Sequence, residues 1–248
     1  MSLDLTGRIA LVTGASRGIG YFTAIELAKA GAHVIACART VGGLEELDDA
    51  IQAAGGQPAT LVPFDLDDME AIDRLGASIF ERWGKLDILV ANAGILGTIS
   101  PLGHIDPKDF EKVFRINVTA NWRLLRSMEP LLKRSDAGRV VVLSSGAAHK
   151  CRPFWGAYSA SKAAVEALAR TFAAEIENIS NVKVISVDPG ITRTQMRAKA
   201  APGEDPNSIP HPREVAAAIV PLTAPSMTET GKLYVVREKV FKNFRAPE

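Results

Sequence analysis

A tyrosine and a lysine stand four residues apart at Tyr158-x-x-x-Lys162, a spacing that can do proton chemistry. On a helix, side chains at i and i+4 share one face, one turn apart. The run that follows, Ala-Ala-Val-Glu-Ala-Leu-Ala-Arg over 163–170, is made mostly of helix formers. A free phenol titrates near ~10 and is a poor base at neutral pH. A lysine ammonium about 4 Å away, at an effective dielectric of about 20, favours the phenolate by roughly 4 kcal/mol. That is roughly three pKa units, which brings the tyrosine toward the working range of a general acid/base. The alternative is a half-buried aromatic beside a solvated charge, and the rest of the chain has to decide between the two.

The second feature is a glycine-rich turn, Gly14-x-x-x-Gly18-x-Gly20, between the apolar stretch 8–13 and a helical pattern over 21–30. Glycine lets the backbone turn tightly and approach a pyrophosphate, which then rests on a helix N-terminus. Such a turn can also be purely structural, but its place between the first strand and the first helix favours dinucleotide binding. The end of the second strand should then meet the ribose. An NAD enzyme usually puts Asp or Glu there, whereas this chain has Ala38 followed by Arg39, with Arg17 inside the turn. Guanidinium groups bind phosphate oxygens bidentately, so NADP(H) is expected in preference to NAD(H).

These residues need a frame to position them. Apolar runs near 8–13, 33–38, 59–64, 86–91, 139–143, 182–187 and 233–236 alternate with helical patterns. The alternation predicts βαβ units and a seven-stranded, mostly parallel sheet with helices on both faces, an α/β doubly wound fold. Long helices are expected over 107–133 and 154–178. Asp106-Pro107 supplies an N-cap followed by proline at the first helical position. At 248 residues and 47% hydrophobic composition, one large domain over 1–248 is expected. The net charge of +1 gives no long-range field for nucleic acid or an anionic membrane. No run approaches the ~20 apolar residues of a membrane span. The two cysteines, Cys37 and Cys151, belong to no metal-ligand cluster. They fit reduced thiols in a cytoplasmic protein, and no metal is expected.

Three further pieces fall at carboxyl ends of strands or on a neighbouring helix. They are Asn92-Ala93-Gly94, Ser144-Ser145, and Asn117 within Phe-Arg-Ile-Asn-Val-Thr. With the glycine turn, Asp65, Tyr158-x-x-x-Lys162, Pro189-Gly190 and Thr194, the chain from about 5 to 236 resembles the short-chain dehydrogenase/reductase family. The segments Thr-Arg-Thr-Gln-Met-Arg and Glu-Asp-Pro look like a bacterial subgroup whose substrates are not named. The resemblance implies a single Rossmann-like domain whose cofactor carries the hydride between a carbonyl and an alcohol. It implies Tyr158 as proton donor and acceptor, Lys162 tuning it and binding the nicotinamide ribose, Ser145 holding the substrate oxygen, and Asn117 supporting a water relay. It places Asp65 with Leu66 near the adenine, and Asn92, Ala93 and Gly94 beside the cofactor. Pro189, Gly190, Ile191 and Thr194 would flank the nicotinamide, and Ser16, Arg17 and Ile19 complete the phosphate turn with Gly14, Gly18 and Gly20.

The remaining stretches carry less. Residues 189–212, rich in Pro, Gly and polar residues, are expected to be a substrate lid with a short helix near 194–200. Ile95, Leu96, Phe154, Trp155 and Met196 could form an apolar substrate wall, with simple packing equally open for Trp155. His149 and Cys151 follow Ser145 and are expected to be loop residues without a chemical role. The basic tail 237–248 is expected to pack on a neighbouring subunit rather than form a partner-binding arm. The family resemblance implies a homodimer or homotetramer built on the two long helices, and a small-molecule carbonyl or alcohol as the substrate. The competing reading is a catalytically silent NADP(H)-binding regulator. The set Asn117, Ser145, Tyr158, Lys162 argues against it.

Overall fold

The runs Ile9–Thr13, Ile88–Ala91 and Arg139–Leu143 show no polar–apolar alternation, and each of their residues is buried. Strands of this kind need helices over both faces. The computed structural model, which describes residues 3–244, supplies them. The strands are β1 (Ile9–Thr13), β2 (His33–Ala38), β3 (Thr60–Pro63), β4 (Ile88–Ala91), β5 (Arg139–Leu143), β6 (Lys183–Asp188), β7 (Lys232–Val235) and β8 (Val240–Lys242). They form one sheet in the order β3-β2-β1-β4-β5-β6-β7-β8, parallel throughout except for the last pair.

The helices are α1 (Gly18–Lys29), α2 (Val41–Ala53), α3 (Met69–Trp83), α4 (Pro107–Phe114), α5 (Ala120–Leu132), α6 (Ala147–Lys150), α7 (Gly156–Ile176), α8 (Gln195–Ala200) and α9 (Pro212–Ile219). Successive strand residues point to opposite faces, and the core divides accordingly. Leu11, Leu89, Val140 and Val142 pack with Ile79, Leu124, Leu131 and Phe172 on one face. Val12, Val90, Val141 and Ile185 pack with Leu27, Leu47 and Ile219 on the other. Among the described residues no helix is long and apolar enough to cross a membrane.

Two sequence expectations need correction. The sheet has eight strands rather than seven. β8 is a short antiparallel edge strand that pairs Val240 with Val235 through a turn with Lys239 at φ +55°. Its Phe241 ring packs on that of Tyr234 at 4.9 Å, and its three residues are too short a pattern to stand out in the sequence. It occupies the described part of the basic tail; residues 245–248 lie outside the described residues. The helix expected over 107–133 is interrupted by a π-helical turn, Arg115–Thr119, between α4 and α5. The cap at its start is as expected: Asp106 accepts from the Lys108 N–H at 2.8 Å.

The amino ends of the strands carry a buried charge network. Asp87, fully buried, accepts from the Ile9 N–H (2.9 Å), Ser135 Oγ (2.5 Å) and Arg8 Nη1 (3.1 Å) and pairs with Lys85 at 3.0 Å. Burial pushes its carboxyl up, but the bonds from Ser135, Ile9 and Lys85 outweigh that and hold it below the usual carboxylate range. Arg139 at the same end gives its donors to the carbonyls of Gly138, Asn181, Ala224, Pro225 and Met227, which fixes the connection between α9 and β7. The polar groups at the carboxyl ends have other work.

Candidate active site

The site begins where β1 runs into α1. Gly14 and Gly18 adopt φ +65° and +61°, the left-handed region that favours glycine. A Cβ on Gly14 would meet Asn92 Nδ2 at 2.9 Å, and one on Gly20 would meet the Gly14 carbonyl at 2.5 Å. Asn92 is the reason for this closeness. Its Nδ2 donates to the Thr13 carbonyl at 2.8 Å, and the Asn92 and Ala93 N–H groups both donate to Thr13 Oγ1 at 3.1 Å. The end of β4 is thereby latched to the turn after β1. α1 starts with no side-chain cap on its first N–H groups, which leaves donors for an anion.

One cavity of about 790 Å³ runs along the carboxyl ends of the strands. Of the sequence-predicted residues, Gly14, Ser16, Arg17, Gly18, Ile19, Arg39, Asp65, Leu66, Asn92, Ala93, Gly94, Ser145, Tyr158, Lys162, Pro189, Gly190, Ile191 and Thr194 line it. Gly20 and Asn117 do not. Gly20 is buried beneath the turn, where it makes room for Asn92. Asn117 stands behind the cavity wall: its side chain exchanges two hydrogen bonds with the Ile95 backbone, at 2.8 and 2.9 Å, and donates to Ser161 Oγ at 3.0 Å. The π turn frees the Asn117 carbonyl, which accepts from Asn121 Nδ2 at 2.7 Å. The position of Asn117 thus fixes the loop after β4. Ile95, Leu96, Trp155 and Met196 line the cavity, but Phe154 does not; it sits at φ +72° and is exposed, its carbonyl accepting from the Ser100 N–H.

At the ribose end, β2 closes on buried Ala38 and no carboxylate follows it. Arg39 instead approaches Asp65 at 3.8 Å, and Arg17 donates to Gln195 Oε1 at 2.8 Å. Two exposed guanidiniums, the uncapped helix start and a cavity of this size fit a dinucleotide carrying a ribose phosphate.

On α7, Tyr158, Lys162 and Glu166 recur every fourth residue and are all buried. The Lys162 ammonium donates to the Leu143 carbonyl at 2.6 Å and lies 5.9 Å from the Tyr158 ring centre. Burial draws its pKa down to about 8, opposed by Glu166. Tyr158 moves opposite to the sequence expectation: burial pushes the phenol up to about 12, Ser145 lowers it, and the Asp188 carboxylate raises it. Desolvation is the largest influence on the phenol, and the lysine one turn on does not offset it. The Ser145 Oγ accepts from the Ala147 N–H at 3.2 Å. At neutral pH the phenol is protonated and ready to donate.

Two acids beside the loop after β5 escaped the sequence reading. Glu166 accepts from the Ser144 hydroxyl and from His149 Nε2 at 3.1 Å, so it grips the loop on both sides of Ser145. Burial pushes its carboxyl up, against the bonds from Ser144 and His149. Asp188 accepts from the Gly146 and Gly190 N–H groups at 2.8 and 3.0 Å, tying the loop after β5 to the loop after β6. A charge on the apolar stripe of α7, one turn beyond Lys162, was the signal for Glu166. His149 consequently has a structural partner, and neither it nor Cys151 lines the cavity.

A family model described as short chain dehydrogenase matches residues 8–205. The uncharacterised oxidoreductase YciK of Escherichia coli strain K12 is 37% identical over 213 residues, which span 85% of this chain and 84% of that protein. An uncharacterised NAD-dependent oxidoreductase of Mycobacterium tuberculosis, MT0715, is 37% identical over 206 residues, 78% of this chain and 74% of its own length. Among solved structures, a short chain dehydrogenase from Shigella flexneri 2a strain 301, complexed with NADP, superposes with a TM-score of 0.91 at 34% identity, covering 96% of this chain and all of that one.

The buried ammonium leads to a measurable cost. The unfolded lysine keeps its proton to about pH 10.4, whereas folded Lys162 releases it at about 8. Between those values the unfolded chain binds more protons, so stability rises with pH there; below pH 8 the burial cost is fully present. Lys162→Met is expected to stabilise the fold by about 1–2 kcal/mol at pH 7, after subtracting the lost bond to Leu143, and by less at pH 10. Urea unfolding at the two pH values checks this, and a destabilised variant at pH 7 would refute it.

Proposed function

The chain belongs to the short-chain dehydrogenase family, and on that footing we propose that it interconverts a carbonyl and a secondary alcohol with NADP(H). The observation that carries the reading is that Ser145, Tyr158 and Lys162 share one cavity with the glycine turn and Arg39. Gly14, Ser16, Arg17, Gly18, Ile19 and Arg39 would hold the phosphates and ribose, with Asp65 and Leu66 near the adenine. Asn92, Ala93, Gly94, Pro189, Gly190, Ile191 and Thr194 would hold the nicotinamide half. When bound, this cofactor supplies or accepts the hydride.

The chain's own residues do the rest. The hydroxyls of Ser145 and Tyr158 donate to the carbonyl oxygen, where negative charge develops during reduction, and so favour the transition state over the ground state. Tyr158 passes its proton to that oxygen. Its raised pKa keeps the acid loaded at neutral pH. Lys162, charged below about pH 8, stabilises the resulting phenolate, and Asn117 sets the wall through which a water relay resupplies the proton. Residues 189–212 act as the lid over this chemistry; Thr194 caps α8 through the Arg197 N–H at 3.1 Å, and Arg193 N–H donates to the Pro210 carbonyl at 2.9 Å, joining the two ends of the segment.

NADP(H) is the preferred form in this reading because Arg39 stands where a carboxylate would bind the ribose hydroxyl, and the NADP complex of the Shigella flexneri relative supports it. The assembly is a homodimer or homotetramer built on α4, α5 and α7, a reading that the exposed Trp122 of α5 supports. The cytoplasm suits the two free thiols.

Two measurements test the proposal. Tyr158→Phe is expected to leave NADPH affinity within about twofold while lowering turnover of a carbonyl substrate by roughly 10²–10⁴-fold; unchanged turnover would remove Tyr158 from the chemistry. In fluorescence titrations the native chain is expected to bind NADPH at least roughly tenfold more tightly than NADH, and Arg39→Asp to narrow or reverse that ratio. Equal affinities in the native chain would contradict the assignment of Arg39.

A further inference from the structure

The charges lining the cavity are unevenly distributed between its two ends. Beyond β2 and β3 they are balanced: Arg39 faces Asp65, and Asp67 is paired with Arg115. Beyond β4, β5 and β6 the lining contains Lys112, Lys150, Arg152, Lys162, Arg193 and Arg197. Asp188 is the one carboxylate among the lining residues there, and it is engaged by two backbone N–H groups. Arg197 is paired with Glu204 at 2.6 Å. Lys162 belongs to Tyr158, and Lys150 Nζ shares with Asp188 the space around Gly146. Lys112, Arg152 and Arg193 have no ion-pair partner among the described residues. Arg193 Nε is buried and has no acceptor among the described residues, an unmet capacity that buried donors rarely show.

A generally basic protein would make such a cluster unremarkable, but this one has 29 Lys+Arg against 28 Asp+Glu. The cofactor's ribose phosphate does not account for it either. In the order β2-β1-β4-β5-β6, the loops after β5 and β6 are three and four strand spacings from Arg39, about 14 and 19 Å. The same lining holds the apolar side chains of Ile95, Leu96, Trp155 and Met196; the Trp155 ring sits 5.9 Å from that of Tyr158.

Building on the reading of Ser145 and Tyr158 as the oxygen-binding pair, we propose that the substrate is an anionic carbonyl compound. Its apolar body lies along Ile95, Leu96, Trp155 and Met196, and its carboxylate or phosphate is seated by Lys112, Arg152 and Arg193. Guanidiniums fork onto either anion, and a cleft lined by one sign of charge concentrates ligands of the other.

The test compares 4-acetylbenzoate and 4-acetylphenyl phosphate, ketones whose reduction gives secondary alcohols, with neutral methyl 4-acetylbenzoate. For each, the KM for NADPH-dependent reduction and the Kd for the NADP+-loaded protein are measured, the latter by calorimetry and without turnover. At low salt, one or both anions are expected to bind at least roughly tenfold more tightly than the ester, and the better of the two identifies the anion. The advantage is expected to shrink toward 0.5 M salt and to fall below about threefold in Arg152→Gln/Arg193→Gln. Equal binding of ester and anions, tighter binding of the ester, or no binding of any of the three overturns the proposal. Preferential anion binding without any reduction upholds the anion site and sinks the hydride-transfer reading. Reduction of all three with equal KM values does the reverse.

Discussion

The ammonium of Lys162 is buried, held by one carbonyl at 2.6 Å, and much of the site follows from what it takes to keep it there. Burial of a cation is costly, and the fold accepts that cost on α7 between Tyr158 and Glu166. Glu166 one turn on offsets part of it while holding Ser144 and His149 on either side of Ser145. A single helix stripe therefore carries Tyr158, buries the ammonium one turn on and anchors the loop that carries Ser145. The Leu143 carbonyl that accepts from Lys162 ends β5, so the sheet itself sets the depth of the ammonium.

The parallel sheet makes this possible by giving its two ends different tasks. At the amino ends, Asp87 and Arg139 are engaged by partners of the protein itself. At the carboxyl ends, backbone donors at the start of α1, the Ser145 and Tyr158 hydroxyls and several cations remain available around one cavity. Asn92 joins the two halves by latching β4 to the turn after β1, and that close approach leaves no room for a Cβ at Gly14 or Gly20. Asp188 performs the same service between the loops after β5 and β6.

How far this could be read from the sequence depended on whether the signal was local. Apolar runs buried on both faces announce their strands, and the spacings within Gly14–Gly20 and Tyr158–Lys162 are short enough to carry geometry. β8 was missed because three residues between charges make no period. The π turn at Arg115–Thr119 was missed because an inserted residue leaves the helical pattern on both sides intact. The motifs single out Gly20 and Asn117, but only the fold shows that they stand behind the cavity wall, since a motif marks neighbourhood and not which atoms face the cavity. Glu166 and Asp188 act through residues 17 to 42 positions away, a link that only the fold creates.

The tyrosine's pKa was misjudged for a related reason: spacing reveals the lysine four residues on but not the depth at which both groups lie. At that depth desolvation wins, and the Tyr158 phenol keeps its proton at neutral pH. Ultraviolet titration of tyrosinate, taken as the difference between the native chain and Tyr158→Phe, tests this directly. The account predicts no ionisation of Tyr158 below pH 10 in the ligand-free protein, with its midpoint at about 12. A midpoint between pH 6 and 8 in that state would contradict it and restore the lysine as the dominant influence.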